Sequence, residues 1–192
     1  MKTKPRCQWC EGDDLYEQYH DEEWGVPVFD DNILFECLIL EGAQAGLSWI
    51  TVLRKREAYR QLFDGFNAKK IAKYSDKKLN KILLNSEIIR NRLKIYSVRQ
   101  NAHAFLAIQQ EFGSFSDYLW ATVKNKPIQN SWPRLSDLPA STELSTALSI
   151  DLKKRGFNFV GPSIVYAFMQ ATGMVNDHVS KCFRKRQCQK MA

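Results

Sequence analysis

Apolar residues recur at intervals of three and four along most of the chain, which is the periodicity of amphipathic helices. Glycine, proline and capping residues punctuate these stretches, as helix starts and ends favour. Helices are therefore predicted over residues 31–41, 48–64, 68–74, 76–84, 91–112, 115–124, 143–155 and 162–172. The candidate N-caps are Asp30 or Asp31, Ser75, and Ser141 or Thr142. We find no convincing strand pattern and no internal repeat, so the predicted fold class is all-α with one connected core.

The segment 38–53, LILEGAQAGLSWITVL, is predicted to form a corner between two helices. Its turn is expected at residues 42–46, which begin and end with glycine. The 3.6-residue spacing places Glu41 on the apolar face of the first helix, where a carboxylate is costly unless it is paired or used. Trp49 opens the second helix and would lie close to Glu41. Two interpretations stay open, a ligand-binding carboxylate or an ion pair with an arginine such as Arg56.

The first thirty residues are rich in aromatic side chains, which indicates a packed loop or a short helix rather than a disordered tail. The rings belong to Trp9, Tyr16, Tyr19, His20 and Trp24. An aromatic pocket with one carboxylate suits a flat ring that carries positive charge, because cation–π attraction and hydrogen bonds to the carboxylate act together. A neutral ring would leave the desolvated carboxylate without a counter-charge. The alternative is an aromatic-rich core without a ligand.

Composition narrows the class of partner. With 192 residues, the chain can form one domain or two small lobes around a hydrophobic core. Lys and Arg outnumber Asp and Glu by 28 to 21, and the net charge of +7 favours a polyanionic partner such as nucleic acid. The chain has no run of 18 apolar residues, and its start lacks the apolar segment of a signal peptide. We therefore expect a cytoplasmic protein that does not associate with a membrane.

The five cysteines argue against a disulfide framework, because their number is odd and no secretion signal is evident. Two Cys–His pairs, one near each end of the chain, make a set suited to a closed tetrahedral zinc site: Cys7, His20, His178 and Cys182. Cys10 and Cys188 are rival ligands, and two unrelated pairs of buried polar residues would give the same pattern. A shared ion would tie the two ends of the chain together and would have no open position for chemistry.

Residues 84–102 are predicted to contain a tight turn between two helices. Three basic residues mark the start of the second helix: Arg90, Arg92 and Lys94. Cations beside the backbone N–H groups of a helix N-terminus favour a phosphate diester. A solvated basic helix face would give the same pattern, and the basic cluster at 153–155 could lie beside this turn or elsewhere.

Six segments of the chain are long and specific: RCQWC, YEQYHDEEWGVP, LFECLILEGAQAGLSWITVLRKRE, IIRNRLKI, LKKRGFNFVGP and MQATGMVNDHVSKC. They run from Arg6 to Cys182 and closely resemble the family of 3-methyladenine DNA glycosylase I. The resemblance implies an all-α fold of the helix–hairpin–helix glycosylase superfamily, with one structural zinc ion (Zn2+) joining the N- and C-terminal segments. It implies a single domain over residues 1–192, made of a central helical lobe at about 48–140 with a hairpin near 84–95, a terminal lobe from about 1–47 and 141–182, and a basic tail at 183–192.

In function, the resemblance implies a monofunctional hydrolase that flips N3-methylated adenine out of alkylated double-stranded DNA. It would cleave the N-glycosidic bond in base excision repair and release free 3-methyladenine, without lyase activity. Such a protein is expected to be a monomer. Two alternatives from other classes are a non-catalytic DNA-binding module and a zinc hydrolase with an open metal site.

The resemblance also implies roles for individual residues. Glu41 is the catalytic carboxylate, in a pocket whose base-binding residues are Tyr19, Trp49, Trp24, Tyr16 and Trp9. The zinc ligands are Cys7, His20, His178 and Cys182, which excludes Cys10 and Cys188. The DNA contacts comprise the loop 44–47, through Gln44, Gly46 and Leu47, together with the basic residues Arg90, Arg92 and Lys94. Ser86-Glu87 and Leu93 depart from the family pattern, and Glu87 is expected to weaken or shift the hairpin's grip because it would repel a phosphate.

Overall fold

The computed structural model describes residues 4–191, so residues 1–3 and 192 at the ends of the predicted domain lie outside it. Within this range the helices are α1 (Asp14–Glu22), α2 (Asp31–Gln44), α3 (Trp49–Leu53), α4 (Arg56–Leu62), α5 (Ala68–Ile71), α6 (Asp76–Leu83), α7 (Arg92–Phe112), α8 (Phe115–Ala121), α9 (Glu143–Lys154), α10 (Pro162–Ala171) and α11 (Phe183–Gln189). Short 3₁₀ turns lie at Gln8–Cys10, Asp64–Phe66 and Leu135–Asp137. The predominantly helical fold is confirmed.

One pair of very short strands was not predicted. The strands β1 (Ile128–Gln129) and β2 (Val175–Asn176) pair in parallel, with Ile128 opposite Val175. Two residues are too few to give an alternating pattern, so the sequence carries no signal for them. The pair fastens the connection between α8 and α9 to the segment that follows α10.

Hydrogen bonds show which of the candidate residues cap the helices. Asp30 caps α2, since its carboxylate accepts from the backbone N–H of Ile33 at 2.9 Å. Asp31 instead accepts from the N–H groups of Phe115 and Ser116, each at 2.8 Å. It therefore holds the start of α8 against α2. Ser75 and Thr142 cap α6 and α9 as predicted.

The corner between α2 and α3 differs in detail from the prediction. The helix α2 continues through Gly42 to Gln44, so the turn begins later than expected. Gly42 lies inside the helix. A glycine suits this position because the loop after α9 packs against it, and an added Cβ would lie 3.1 Å from the Cβ of Phe159. The helix predicted over 48–64 is divided into α3 and α4 at Arg54 and Lys55.

The main core is built around α2, whose middle turns are buried on all sides. The helices α7, α8 and α10 pack against it, and α9 packs against α10. A second, smaller cluster of buried residues joins the two ends of the described chain: Cys7, Tyr19, Trp24, Leu53, Ala171 and Cys182. Trp49 packs against both clusters, and Leu53 of α3 belongs to the smaller one, so the two clusters adjoin each other.

The basic tail predicted at 183–192 contains a helix that the sequence analysis did not predict. Residues Phe183–Gln189 form α11, in which Arg184 and Cys188 are buried. The backbone N–H of Phe183 donates to the carbonyl of Pro5 at 3.0 Å, which ties this helix to the N-terminal segment. Among residues 4–191, no helix combines the length and the apolar character that crossing a bilayer requires.

Candidate active site and metal centre

A cavity of about 230 Å³ opens where α1, α2, α3 and α10 meet. All six residues that were expected to form a pocket line it: Trp9, Tyr16, Tyr19, Trp24, Glu41 and Trp49. The predicted loop residue Gln44 lies at the same wall. Sequence reasoning missed four more lining residues: Leu135, Leu138, Ala167 and Gln170. No local pattern marks them, because only the packing of α10 and of the connection before α9 brings them here.

Glu41 is the unusual group in this cavity. Only 5% of its surface is exposed, and burial raises the pKa of its carboxyl from 4.5 to about 8. No side chain within residues 4–191 forms an ion pair with it. The ion pair with Arg56 considered above is absent, because Arg56 donates to both oxygens of Glu23 at 2.5 and 2.8 Å. Glu41 is therefore a buried carboxyl group without a counter-charge.

The other buried glutamate of α2, Glu36, differs from Glu41 because it is paired with an arginine. Glu36 receives three hydrogen bonds from the Arg60 guanidinium, at 2.7 to 3.0 Å. Such a bidentate pair offsets the desolvation of the charge. Arg56 and Arg60 are thus paired with Glu23 and Glu36, and neither arginine is paired with Glu41.

Aromatic rings surround Glu41 on several sides. The rings of Tyr19 and Trp49 lie 5.5 Å apart, and those of Trp9 and Tyr16 lie 4.8 Å apart. Burial raises the pKa of Tyr16 to about 12 and that of Tyr19 well above its ordinary value, so both phenols stay protonated and can donate. The indole Nε1 of Trp49 is buried, and no group in the described part of the chain forms a hydrogen bond with it. The cavity therefore presents aromatic faces, one acidic group and unused donors.

We call the loop after α2 the rim of the cavity, because it joins two of the lining residues, Gln44 and Trp49. Gly46 has a φ of +79°, which allows the tight reversal between the two helices. The side chain of Gln44 donates to the carbonyl of Leu47 across this turn. Leu47 is 39% exposed, although it is large and apolar. An exposed leucine in this loop is suited to contact an apolar part of a ligand.

The three basic residues predicted at the start of α7 do not share one environment. Arg90 and Arg92 are exposed, and the Arg92 guanidinium lies 4.6 Å from the ring centre of Tyr96. Lys94 is buried, and its ammonium donates to the carbonyls of Ala43 and Ala45 at 2.8 and 2.6 Å. It neutralises the end of α2, where free carbonyls and the helix dipole favour a cation. Two of the three donors of the Lys94 ammonium are therefore used inside the fold, which argues against the predicted contact with a phosphate.

The turn before α7 is held by a neighbouring lysine. The ammonium of Lys55, between α3 and α4, donates to the carbonyl of Ser86 at 3.1 Å. Glu87 is exposed and lies beside Arg54 and Lys55 in a surface groove. Glu87, one of the departures from the family pattern, thus shares this groove with two cations and with a second carboxylate, Glu57.

The two Cys–His pairs come together at one buried point. The four residues offer ligand atoms that all lie within 4.8 Å of one another: Cys7, His20, His178 and Cys182. The Sγ of Cys182 lies 3.4 Å from Nε2 of His20 and 3.5 Å from Nδ1 of His178, and the Sγ of Cys7 lies 3.7 Å from the same Nδ1. A tetrahedral zinc ion would separate neighbouring sulfur and nitrogen ligands by roughly 3.6 Å. The donor set therefore fits such an ion.

The outward nitrogen of each histidine is also engaged. Nδ1 of His20 lies 2.8 Å from Oδ1 of Asp21, and Nε2 of His178 lies 3.0 Å from the carbonyl of Trp24. These contacts fix the tautomers that turn the other nitrogens toward the sulfur atoms. Burial lowers the pKa of His178, which favours the neutral form that a metal requires. This arrangement could hold one ion, with no ligand position left open.

The metal centre and the cavity share a wall. The Trp24 ring lines the cavity and lies 4.6 Å from the His178 ring. Gly25 allows this approach, since an added Cβ would lie 2.9 Å from Nε2 of His178 and the φ of Gly25 is +80°. The centre therefore supports one side of the pocket without opening into it.

Comparison with known proteins agrees with this geometry. A family model described as methyladenine glycosylase matches residues 9–185. The chain is 50% identical over 177 residues to the DNA-3-methyladenine glycosylase of Haemophilus influenzae, an alignment that covers 92% of this chain and 96% of that protein. A crystal structure of 3-methyladenine DNA glycosylase I has a TM-score of 0.91 and 50% identity, and the match covers 93% of this chain and 98% of that one.

A structure that addresses 3-methyladenine recognition by 3-methyladenine DNA glycosylase I of Staphylococcus aureus is similarly close. Its TM-score is 0.91 at 37% identity, and the match covers 94% of this chain and 96% of that one. The resemblance seen in the sequence is confirmed over nearly the whole chain. The chain belongs to the methyladenine glycosylase family.

Proposed function

We propose that this protein is a DNA-3-methyladenine glycosylase that removes N3-methylated adenine from alkylated DNA in base excision repair. One observation carries the proposal: Glu41 is a buried carboxyl group without a counter-charge, in a cavity walled by aromatic rings. The related proteins support it, since the Haemophilus influenzae relative is a DNA-3-methyladenine glycosylase and the Staphylococcus aureus protein recognises 3-methyladenine.

Glu41 would select a cationic base. With a pKa of about 8, its carboxyl is mostly protonated in the empty cavity at neutral pH. A methyl group at N3 gives adenine a positive charge, and that charge would stabilise the ionised carboxylate inside the cavity. The faces of Trp49 and Tyr19 add cation–π attraction. An undamaged base is neutral and would leave the carboxylate uncompensated.

The same charge would make the methylated base a good leaving group. When the bond between C1′ and the base nitrogen breaks, its electron pair neutralises the base, which departs without an acid. Water bonds to C1′ and loses a proton, and an abasic site remains. The Glu41 carboxylate would stabilise the positive charge that develops on the sugar, and a Tyr19 hydrogen bond would hold the base. No amine attacks C1′, so lyase activity is not expected.

The rim of the cavity supports a role in extruding the nucleotide. A base must leave the duplex to be cleaved, and a damaged base costs less to unstack. Gln44, Gly46 and the exposed Leu47 would fill the gap in the stack, while Arg90 and Arg92 would contact the DNA backbone. The net charge of +7 favours this partner. The turn before α7 would serve as the hairpin of the helix–hairpin–helix superfamily.

For the four Cys and His ligands we propose one structural zinc ion. Thiolate and imidazole in a closed tetrahedron are typical of structural zinc, which supports this choice of metal. The ion would join the two parts of the terminal lobe, which supply all the residues of the second buried cluster except Leu53, while the central lobe would carry the hairpin. We also propose that the protein is cytoplasmic and acts as a monomer. Size-exclusion chromatography of the purified chain can test the monomeric state.

The activity can be tested by measuring free base released from methylated duplex DNA. We expect 3-methyladenine to appear and the DNA strand to stay intact until alkali is added. Glu41→Gln should lower the rate by at least about tenfold, because the counter-charge is lost. Glu57→Gln, at an exposed position, is the matched control and should keep the rate. An unchanged rate in Glu41→Gln would remove the role of this carboxylate, and no release by the wild type would favour a non-catalytic DNA-binding module.

The metal proposal has its own measurement. We expect one zinc ion per purified chain and a lower melting temperature in Cys182→Ser. Cys37→Ser, outside the ligand set, should keep the zinc. A zinc-free chain with normal melting in Cys182→Ser would overturn the proposal. Partial chelation of the metal, at a temperature where the chain stays folded, tests the alternative of a metal-catalysed hydrolase. Such an enzyme would lose its activity, whereas we expect the activity to persist.

A further inference from the structure

Gln170 lies in the last turn of α10 and lines the same cavity as Glu41. Its Nε2 donates to Oδ2 of Asp177 at 2.7 Å. A carboxylate can only accept, so this bond fixes which end of the amide faces Asp177. The carbonyl oxygen Oε1 is the end left over, and no side-chain donor within residues 4–191 bonds to it.

Hydrogen bonds from several residues hold the Asp177 carboxylate in place, and with it the orientation of the Gln170 amide. Asp177 is fully buried, and each of its oxygens accepts two hydrogen bonds. The donors are Tyr166 Oη at 2.5 Å and Gln170 Nε2 at 2.7 Å on Oδ2, and Asn130 Nδ2 at 2.8 Å and Trp132 Nε1 at 2.7 Å on Oδ1. Four donors from two parts of the chain leave this carboxylate little freedom to move.

The same carboxylate fixes the opposite side of the cavity. Asn130 and Trp132 belong to the connection between α8 and α9, and that connection also supplies Leu135 and Leu138 to the cavity wall. Asp177 therefore ties this connection and Gln170 to one point. Removing a donor or the carboxylate would loosen the shape of the pocket as well as the direction of the amide.

We propose that Gln170 is a specificity-determining residue whose Oε1 accepts an N–H of the exocyclic amine of the bound base, and that Asp177 is its positioning residue. The inference rests on the proposed function, because it concerns the base in that pocket. Glu41 and Gln170 are then two acceptors that face a ligand rich in donors. A base with a carbonyl oxygen in place of the amine would set oxygen against oxygen, which a buried site rejects.

The experiment compares two free bases that differ at this group, 3-methyladenine and 3-methylhypoxanthine. Their dissociation constants can be measured by quenching of tryptophan fluorescence, since Trp9, Trp24 and Trp49 line the cavity. The wild type should prefer 3-methyladenine. Gln170→Met has nearly the same shape without the amide and should reduce this preference about tenfold, as for one lost hydrogen bond. Gln61→Met, on the exposed face of α4, is the control and should keep it.

A second variant separates direct contact from positioning. Asp177→Asn presents a donor as well as acceptors, so the Gln170 amide can turn and the preference should fall even though Gln170 is unchanged. Combined with Gln170→Met, it should reduce the preference no further. If Gln170→Met fails to fold, Asp177→Asn carries the test alone. A wild-type preference in the folded variants would overturn the inference, whereas failure of the wild type to bind or release 3-methyladenine would instead overturn the proposed function.

Discussion

Glu41→Gln should stabilise the protein, and the gain should grow with pH. In the folded chain the pKa of this carboxyl is about 8, against an ordinary value of 4.5. Between these values the folded protein keeps a proton that the unfolded chain has lost, so folding stability falls as pH rises. Each pH unit in this window costs about 1.4 kcal/mol, which amounts to about 3 kcal/mol at pH 7.

Glutamine removes this pH-dependent cost but remains a buried polar group. An unsatisfied amide costs about 1 kcal/mol or more, so the net gain at pH 7 should be about 1 to 2 kcal/mol. Below pH 4.5 the carboxyl is neutral in both states, and the two proteins should differ only by the change of side chain. The pH dependence of the difference therefore isolates the titration of Glu41 from any other effect of the substitution.

The measurement is urea unfolding of wild type and variant at several pH values from 5 to 8. Contributions from the histidines and thiols are common to both proteins and cancel in the difference. Glu36→Gln is a matched control on the same helix, because Glu36 is 8% exposed but paired with Arg60. It should lower the stability. A Glu41→Gln difference that stays constant with pH, or a destabilised variant at pH 8, would refute the claim that Glu41 is buried without a counter-charge.

Four further substitutions, in two matched pairs, test particular contacts. Gly173→Ala should destabilise the fold by at least about 2 kcal/mol, because a Cβ would lie 2.4 Å from the backbone of Val26. Gly156→Ala, also at positive φ but with free space around it, should cost only about 1 kcal/mol in the same unfolding assay. Lys94→Met should lower stability by about 2 kcal/mol and leave the salt dependence of DNA binding unchanged, whereas Arg92→Met should reduce the slope of log K against log salt by about one. A reduced slope in Lys94→Met would contradict the inward position of its ammonium.

The buried glutamate links stability to function. A buried carboxyl group that destabilises the folded chain is typical of a functional site, where a ligand supplies the counter-charge that the fold does not. The fold pairs Glu36 with Arg60 of α4, but no side chain within residues 4–191 forms an ion pair with Glu41 in its aromatic cavity. Under the proposed function, the cationic base is the missing counter-charge.

Much of the local structure follows from the sequence alone. Helix periodicity and capping residues determine the helical fold, because the hydrogen bonds of a helix and of its cap join neighbours in the chain. Asp30, Ser75 and Thr142 were identifiable as caps for this reason. Long segments such as MQATGMVNDHVSKC also carry the family resemblance, which implies one set of metal ligands where spacing alone left several.

The tertiary structure decided which groups meet. Whether Glu41 has a counter-charge depends on Arg56, which the fold turns toward Glu23. Whether Lys94 can reach a phosphate depends on the end of α2, whose carbonyls draw its ammonium inward. Gln170 enters the cavity wall only because α10 packs beside α2. These pairings join residues far apart in the chain, and periodicity fixes the face of a helix but not the partner that the face will meet.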